Sequence, residues 1–173
     1  MRNKILISLM SLLVLIFVGC AGTGGGWQTF TMPTNPDYLF ATGNGESKQL
    51  QLAIDKAALN ARTEIGRQME LKLNSLQKSF AEEVGNEDPE LNQLYSAATK
   101  AVVSTQLMGS KIKEKKYRER NGKYEAVVMV EYPLQEANKA LVNQIKKEKN
   151  LYTRFRASQG FKELEAEIEK MEN

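Results

Sequence analysis

The sequence has no histidine and one cysteine among its 173 residues. Without histidine the chain cannot form a Ser-His-Asp or Cys-His catalytic arrangement, or a zinc site with histidine ligands. A single cysteine has no partner for a disulfide within the chain, so packing alone must hold the fold. No glycine-rich stretch continues into the lysine and hydroxyl residues of a phosphate-binding loop. The nearest stretch, GNGES at 43–47, is interpreted as a turn into a helix with Ser47 as its cap.

The one cysteine, Cys20, stands at the end of an apolar run. Two basic residues precede the stretch 5–18, which has the length of a signal-peptide core and is too short to span a bilayer as a helix. A glycine before the cysteine completes a resemblance to the lipobox of bacterial lipoproteins, although Phe17 stands where that motif usually has leucine. In such proteins the cysteine sulfur is joined to a diacylglycerol and the chain is cut before it. We therefore expect residues 1–19 to be a signal peptide and Cys20 to carry lipid.

The residues after the cysteine predict the location and a tether. Ala21 stands where aspartate commonly retains lipoproteins in the inner membrane, so we predict a lipid-anchored, periplasm-facing protein of the bacterial outer membrane. The membrane is then a partner through the acyl chains on Cys20. Residues 20–37 are rich in glycine, threonine and proline, which is typical of a flexible linker. Trp27 and Phe30 interrupt this linker and either dock on the domain, which we favour, or sit at the lipid interface.

The remaining chain is predicted to contain a domain over 38–150 and a C-terminal amphipathic helix over 151–173. The first strand, YLFATG, is followed by a helix with an alanine-rich face that ends near Gly66. In QMELKLNS, apolar residues at Met69–Leu73 alternate with polar ones, which favours a strand. A continued helix over 67–80 is the alternative, because the local propensity favours helix.

Later signals complete the predicted fold. Pro89 suits the first position of a helix with Asp88 as its cap. Asn121 and Gly122 suit a tight hairpin turn, the apolar AVVMV after them reads as a central strand, and Pro133 ends that strand. Two amphipathic helices follow. The predicted fold is α+β, a small mainly antiparallel sheet with helices packed chiefly on one face, in the order β-α-β-α-β-β-α-α.

Several stretches together resemble the LPP-twenty family of bacterial outer-membrane lipoproteins. They are PDYLFATGNG, AIDKAALNARTEIGRQMELKLNS, LMGSKIKEKKYRERNGKYEAVVMVEYP and RASQGFKEL, and they cover about residues 36–165. The resemblance implies a strand at Met69–Leu73 and a structural or assembly role in the cell envelope. The family includes a flagellum-associated branch, and it brings no catalytic residue to carry over.

The anchor, the linker and the missing catalytic residues predict a lipid-anchored scaffold or assembly component of the envelope. It would act through a sheet edge and its terminal helix, with copies of itself or envelope assembly proteins as partners. We predict no enzymatic activity, catalytic residue, cofactor, metal site, nucleic-acid partner or small-molecule substrate. A carboxylate enzyme with Glu70 or Glu125 as base is the remaining catalytic hypothesis, but nothing distinguishes either among 21 acidic residues.

The alternative function is binding of an acidic envelope polymer such as peptidoglycan. Seven basic residues crowd the hairpin 111–123, with only Glu114 and Glu119 opposing them in that stretch. Lysine and arginine engage carboxylates, and the candidate contacts are Lys113, Lys115, Arg118 and Arg120. The plainer interpretation is a solvated edge strand whose lysines discourage aggregation, and we favour it because charge runs are usually solvated faces.

Overall fold

The computed structural model describes residues 26–27, 29–84, 88–106 and 109–172. Its elements in chain order are β1 (Tyr38–Ser47), α1 (Leu50–Val84), α2 (Pro89–Gln106), β2 (Lys111–Arg120), β3 (Lys123–Pro133), α3 (Leu134–Lys147), α4 (Lys149–Phe155) and α5 (Gln159–Glu172). The strands form an antiparallel sheet in the order β1-β3-β2, so the AVVMV strand is central as predicted. The predicted α+β class is confirmed.

The predicted strand at Met69–Leu73 is wrong, and the predicted order of elements is wrong with it. α1 continues through Gly66 without a break, so the observed order is β-α-α-β-β-α-α-α. Met69 and Leu73 are fully buried, whereas Leu71 between them is 57% exposed. Burial every fourth residue is the pattern of a helix, because alternate residues would share one face of a strand. The continued helix over 67–80 is therefore the correct alternative.

The first half of α1 lies against β1, and two glycines make this close approach feasible. A Cβ on Gly43 would lie 2.2 Å from the carbonyl oxygen of Ala57, and one on Gly45 would lie 2.2 Å from that of Ala53. Both alanines are fully buried. Small residues on both elements thus let the helix backbone approach the strand backbone, which larger side chains would prevent.

The interpretation of GNGES as a turn is wrong, because β1 continues through this stretch to Ser47. Both glycines are needed for packing and lie within the strand. The Ser47 hydroxyl accepts a hydrogen bond of 3.2 Å from the backbone N–H of Gln49, just before α1 begins at Leu50. The serine therefore stabilises the short connection between strand and helix.

The second half of α1 packs against the other helices through aromatic side chains. The ring of Phe80 lies 5.6 Å from that of Phe155 on α4 and 5.7 Å from that of Phe161 on α5. Tyr95 on α2 contacts Phe155 edge-on, and its buried hydroxyl donates a hydrogen bond of 2.8 Å to the carbonyl oxygen of Leu73. The terminal helices are therefore part of one core with α1, and their apolar face is covered.

The start of α5 is attached to the end of α1. The carboxylate of Glu83 accepts hydrogen bonds from the backbone N–H groups of Gln159, at 2.5 Å, and Gly160, at 3.1 Å. The Ser158 hydroxyl accepts another from Phe161 at 3.2 Å. A carboxylate is well placed here, because the first N–H groups of a helix lack intrahelical partners and carry partial positive charge. A Cβ on Gly160 would lie 2.9 Å from Glu83, so the glycine leaves room for this contact.

Several local predictions are confirmed. Asn121 and Gly122 both have positive φ, 53° and 70°, as a tight hairpin turn requires. Pro89 begins α2, and the Asp88 carboxylate accepts a hydrogen bond of 2.9 Å from the backbone of Glu90. β3 ends at Pro133, where the next helix starts.

The two edges of the sheet differ. Side chains of α1 donate hydrogen bonds to backbone carbonyl oxygens of β1, namely Asn60 to Asn44 at 2.8 Å, Gln68 to Phe40 at 3.2 Å and Lys56 to Glu46 at 3.2 Å. α1 thus occupies the outer edge of β1. β2 is the opposite edge strand, and within the described part of the chain no strand pairs with its outer side. A register irregularity between Ile112 and Glu114 interrupts it.

Candidate functional surface on the helix-free face

Among the described residues, no helix packs on the face of the sheet opposite α1. The register places on it alternate residues of the three strands, namely Phe40, Thr42, Asn44 and Glu46 of β1, Lys111, Glu114, Lys116, Arg118 and Arg120 of β2, and Glu125, Val127, Met129 and Glu131 of β3. Lys113, at the register irregularity, lies on the same face because it contacts Glu131. We call this surface the helix-free face. Val127 and Met129 on it are only 1% and 2% exposed, so something other than a helix covers them.

The leading segment, which we define as residues 26–27 and 29–37, lies on this face. The guanidinium group of Arg118 lies 4.1 Å from the centre of the Trp27 ring, and the ammonium group of Lys116 lies 4.5 Å from that of Phe30. Lys116 also donates a hydrogen bond of 2.9 Å to the carbonyl oxygen of Thr29. A cation over the face of an aromatic ring is attracted by the partial negative charge of that face. The prediction that Trp27 and Phe30 dock on the domain is therefore confirmed.

Carboxylates of β3 hold two of the basic side chains of β2. Arg118 is 2.7 Å from a carboxylate oxygen of Glu125, and Lys113 is 2.7 Å from one of Glu131. Lys113 also lies 5.4 Å from the centre of the Phe40 ring. The prediction of a basic hairpin considered only the acidic residues within 111–123, and these partners on β3 lie outside that stretch. The two-residue turn was a usable signal, since it sets Arg118 opposite Glu125.

A third pair joins the hairpin to β1. The ammonium group of Lys123 lies 2.6 Å from the carboxylate of Glu46. This hydrogen bond, and then the charge of Lys123, lowers the pKa of Glu46, and the same contact raises the pKa of Lys123. Much of the apparent basic charge of the hairpin is thus balanced across the sheet.

The four predicted polymer contacts do not form one patch. Lys113, Arg118 and Arg120 lie on the helix-free face, whereas the register sets Lys115 opposite Val128 on the face that packs against α1. Lys113 and Arg118 have acidic partners. Lys115 and Arg120 have neither an ion pair nor a hydrogen bond to another side chain within the described ranges. Polymer binding by these residues stays a prediction.

The remaining predicted site residue, Cys20, lies outside the described residues, and so does the signal segment 1–19. None of the described helices combines the length and apolar character that a bilayer crossing needs. In the described ranges, no three acidic side chains gather closely enough to hold a metal ion. The predictions that the protein has no metal, no cofactor and no catalytic activity stay predictions.

The described surface has several open concavities, two of which differ in their lining. One, of about 560 Å³, is lined chiefly by apolar side chains of the leading segment and β1, including Met32, Tyr38 and Phe40. The other, of about 440 Å³, lies between α2 and α4 and is lined by charged groups of both signs, including Asp88 and Lys149.

The profile of the LPP20 lipoprotein family matches residues 26–131. This range is more than half of the chain, and it includes the leading segment, β1, α1, α2, β2 and all but the last two residues of β3. The chain therefore belongs to the LPP20 lipoprotein family, the LPP-twenty family of the sequence analysis. No curated protein matches, and no solved structure matches either.

Proposed function

We propose that this lipoprotein is a non-enzymatic scaffold or assembly component of the bacterial outer membrane, facing the periplasm and anchored by acyl chains on Cys20. Membership of a lipoprotein family supports the anchor. The single structural observation that carries the assembly role is the difference between the two edges of the sheet. Side chains of α1 donate hydrogen bonds to carbonyl groups on the outer edge of β1. No strand pairs with the outer edge of β2 in the described structure.

The open edge carries the features of a contact surface for another protein. An edge strand presents unpaired backbone N–H and C=O groups that another strand can bind. β2 also exposes two large apolar side chains, Ile112 at 43% and Tyr117 at 54%. Both lie on the α1 side of β2, because the register sets them opposite Val130 and Ala126. The bulge and the lysines of β2 limit indiscriminate pairing, which favours a partner of defined shape.

In-cell photocrosslinking tests this role. A crosslinking amino acid at Tyr117 should give defined adducts with a second copy of the chain or with an envelope protein, because this side chain points outward beside the open edge. The matched control is the same amino acid at Lys162, an exposed position on α5. Adducts at neither position, or equal adducts at both, would contradict an assembly role for β2. Identification of flagellar proteins among the adducts would support the flagellum-associated role that the family resemblance implies.

The second candidate function is binding of an acidic envelope polymer. It is favoured by the exposed cations Lys115 and Arg120, for which the described residues supply no ion pair or side-chain hydrogen bond. Cosedimentation with purified peptidoglycan separates the two functions. The double variant Lys115→Ala/Arg120→Ala should lose cosedimentation if these cations bind the polymer. Lys149→Ala/Arg154→Ala, which removes two exposed cations from α4, is the matched control. No cosedimentation of the unmodified protein would eliminate this function and leave the scaffold role.

A further inference from the structure

The leading segment reaches the domain at one particular end of the sheet. Trp27 contacts Arg118, three residues before Asn121 of the hairpin turn, and Phe30 contacts Lys116, five residues before it. The chain therefore enters at the hairpin end and runs away from it. Cys20 precedes Trp27 by seven residues. An extended chain spans at most about 3.6 Å per residue, which places the lipid within about 25 Å of Trp27.

Charge is distributed unevenly between this end of the molecule and the other. The half of the hairpin next to the turn, residues 116–125, includes four lysines and arginines and two glutamates, whereas residues 159–173 include two lysines and five glutamates. Lys56 of α1 contacts Glu46 near the hairpin end, and Glu83 of the same helix contacts the start of α5. At a rise of 1.5 Å per residue, these two positions on α1 are about 40 Å apart. The lipid-bearing segment thus enters at the basic end, far from the acidic helix.

Two cations at the hairpin end are available for a further contact. Arg120 is the last residue of β2, and Lys48 directly follows Ser47, which pairs with Tyr124 beside the turn. Both side chains are exposed, and neither has an ion pair or a side-chain hydrogen bond in the part of the chain that the structure describes. They differ in this respect from Arg118 and Lys123, which form salt bridges with Glu125 and Glu46.

We propose that the hairpin end of the sheet lies on the membrane surface, with Lys48 and Arg120 against lipid phosphate groups and α1 directed away from the bilayer. This inference rests on the lipid anchor at Cys20 in the proposed function. Basic side chains close to an anionic lipid surface are attracted to it, and the attraction falls off within about one Debye length. The short chain between the lipid and Trp27 is compatible with an orientation in which these two cations come within that range.

Contact with headgroups can be measured on the mature lipidated protein in vesicles that contain phosphatidylglycerol. Acylation consumes the thiol of the single native cysteine, so an introduced cysteine is the only labelling site. Glu119→Cys places a fluorophore at the hairpin end and Lys162→Cys places one on α5. Lipids with a nitroxide on the headgroup quench only nearby fluorophores. We expect quenching at position 119 to exceed that at 162 by about threefold or more.

Charge reversal tests whether the cations produce this orientation. Lys48→Glu/Arg120→Glu should lower quenching at position 119 by about half or more, since attraction to the anionic lipid becomes repulsion. The matched control, Lys149→Glu/Arg154→Glu, reverses two exposed cations on α4 and should leave quenching unchanged. Thermal melts should be the same for all variants, because none of these four side chains holds a partner in the core.

Three results would overturn the proposal: equal quenching at the two positions, a difference that survives reversal of Lys48 and Arg120, or a difference that is unchanged when phosphatidylglycerol is omitted. Suppression of the difference by added peptidoglycan, with binding of the protein to it, would assign the two cations to that polymer instead. Retention of acyl label and vesicle binding in every variant separates a failure of this orientation from a failure of the anchor.

Discussion

At the scale of single residues, Gly43 is a position where one added methyl group must displace a helix. A Cβ there would lie 2.2 Å from the Ala57 carbonyl oxygen and 2.4 Å from the Ala61 nitrogen, and neither backbone atom can move alone. We predict that Gly43→Ala lowers the free energy of unfolding by about 3 kcal/mol, at the upper end of overpacking costs. Urea denaturation of the mature protein measures this. Gly26→Ala, where nothing lies within 4 Å, is the control and should change little.

Arg118 gives a second residue-scale prediction, because its neighbour Trp27 is the single tryptophan of the chain. Removing the guanidinium group in Arg118→Ala loses a cation–π contact worth about 0.5–1 kcal/mol and exposes the ring to water. We expect the tryptophan emission to shift to longer wavelength and to be quenched more strongly by iodide. Lys115→Ala removes a cation from the other face and should leave the spectrum unchanged. Unaltered emission in Arg118→Ala would show that Trp27 is not docked there in solution.

Two buried phenols predict the alkaline limit of stability. Burial, and then the charge of Glu136, raises the pKa of Tyr132 to about 12, and burial raises the pKa of Tyr95 further. Unfolded tyrosine ionises near pH 10, so above that value the unfolded chain has lost protons that the folded chain keeps. These two phenols should therefore not change the free energy of unfolding below about pH 10, and they should lower it as the pH rises beyond that value. Denaturation curves at rising pH test this, and Tyr132→Phe should make the decline less steep.

At the scale of elements, the contact between the end of α1 and the start of α5 depends on the carboxylate of Glu83. Glu83→Gln keeps the size of the side chain but removes the charge that faces the N–H groups of Gln159 and Gly160. We predict a loss of about 1 kcal/mol in stability, the usual value of a charge at a helix N-terminus. Glu82→Gln is the control, because its exposed contact with Lys78 at 4.0 Å contributes little. Equal effects of the two changes, by thermal or urea unfolding, would contradict the capping role of Glu83.

Some elements of the fold could be predicted from the sequence and others could not. The hairpin turn, the start of α2 and the end of β3 depend on neighbouring residues, and those predictions are confirmed. The continuation of α1 past Gly66 depends on burial against Tyr95 and Phe155, which are distant in sequence, so the local alternation at Met69–Leu73 was misleading. The partner of Lys113 is 18 residues away and lies beyond a register irregularity, so it was missed, whereas the partner of Arg118 could have been found from the register of the hairpin turn.

At the scale of the whole molecule, attachment to the membrane depends on Cys20. We predict that Cys20→Ser leaves an unacylated, full-length precursor, since the hydroxyl is a poor substitute for the thiol nucleophile. Labelling of growing cells with radioactive palmitate, followed by separation of outer and inner membranes, measures this. The unmodified protein should be labelled and recovered with the outer membrane. Equal label in both proteins, or recovery of the unmodified protein with the inner membrane, would contradict the anchor or its location respectively.

The occupied edge of β1 also determines how the folded chain can aggregate. A cross-β fibril grows only when each molecule offers two edges, one to the molecule before it and one to the molecule after it. Here the α1 side chains of Asn60, Gln68 and Lys56 hold carbonyl groups of one edge, so a folded copy can extend a sheet in one direction only. Two copies joined through β2 would consume both open edges and end the growth. Even where many molecules are concentrated on a membrane, we therefore expect pairing between the described sheets to end at two copies.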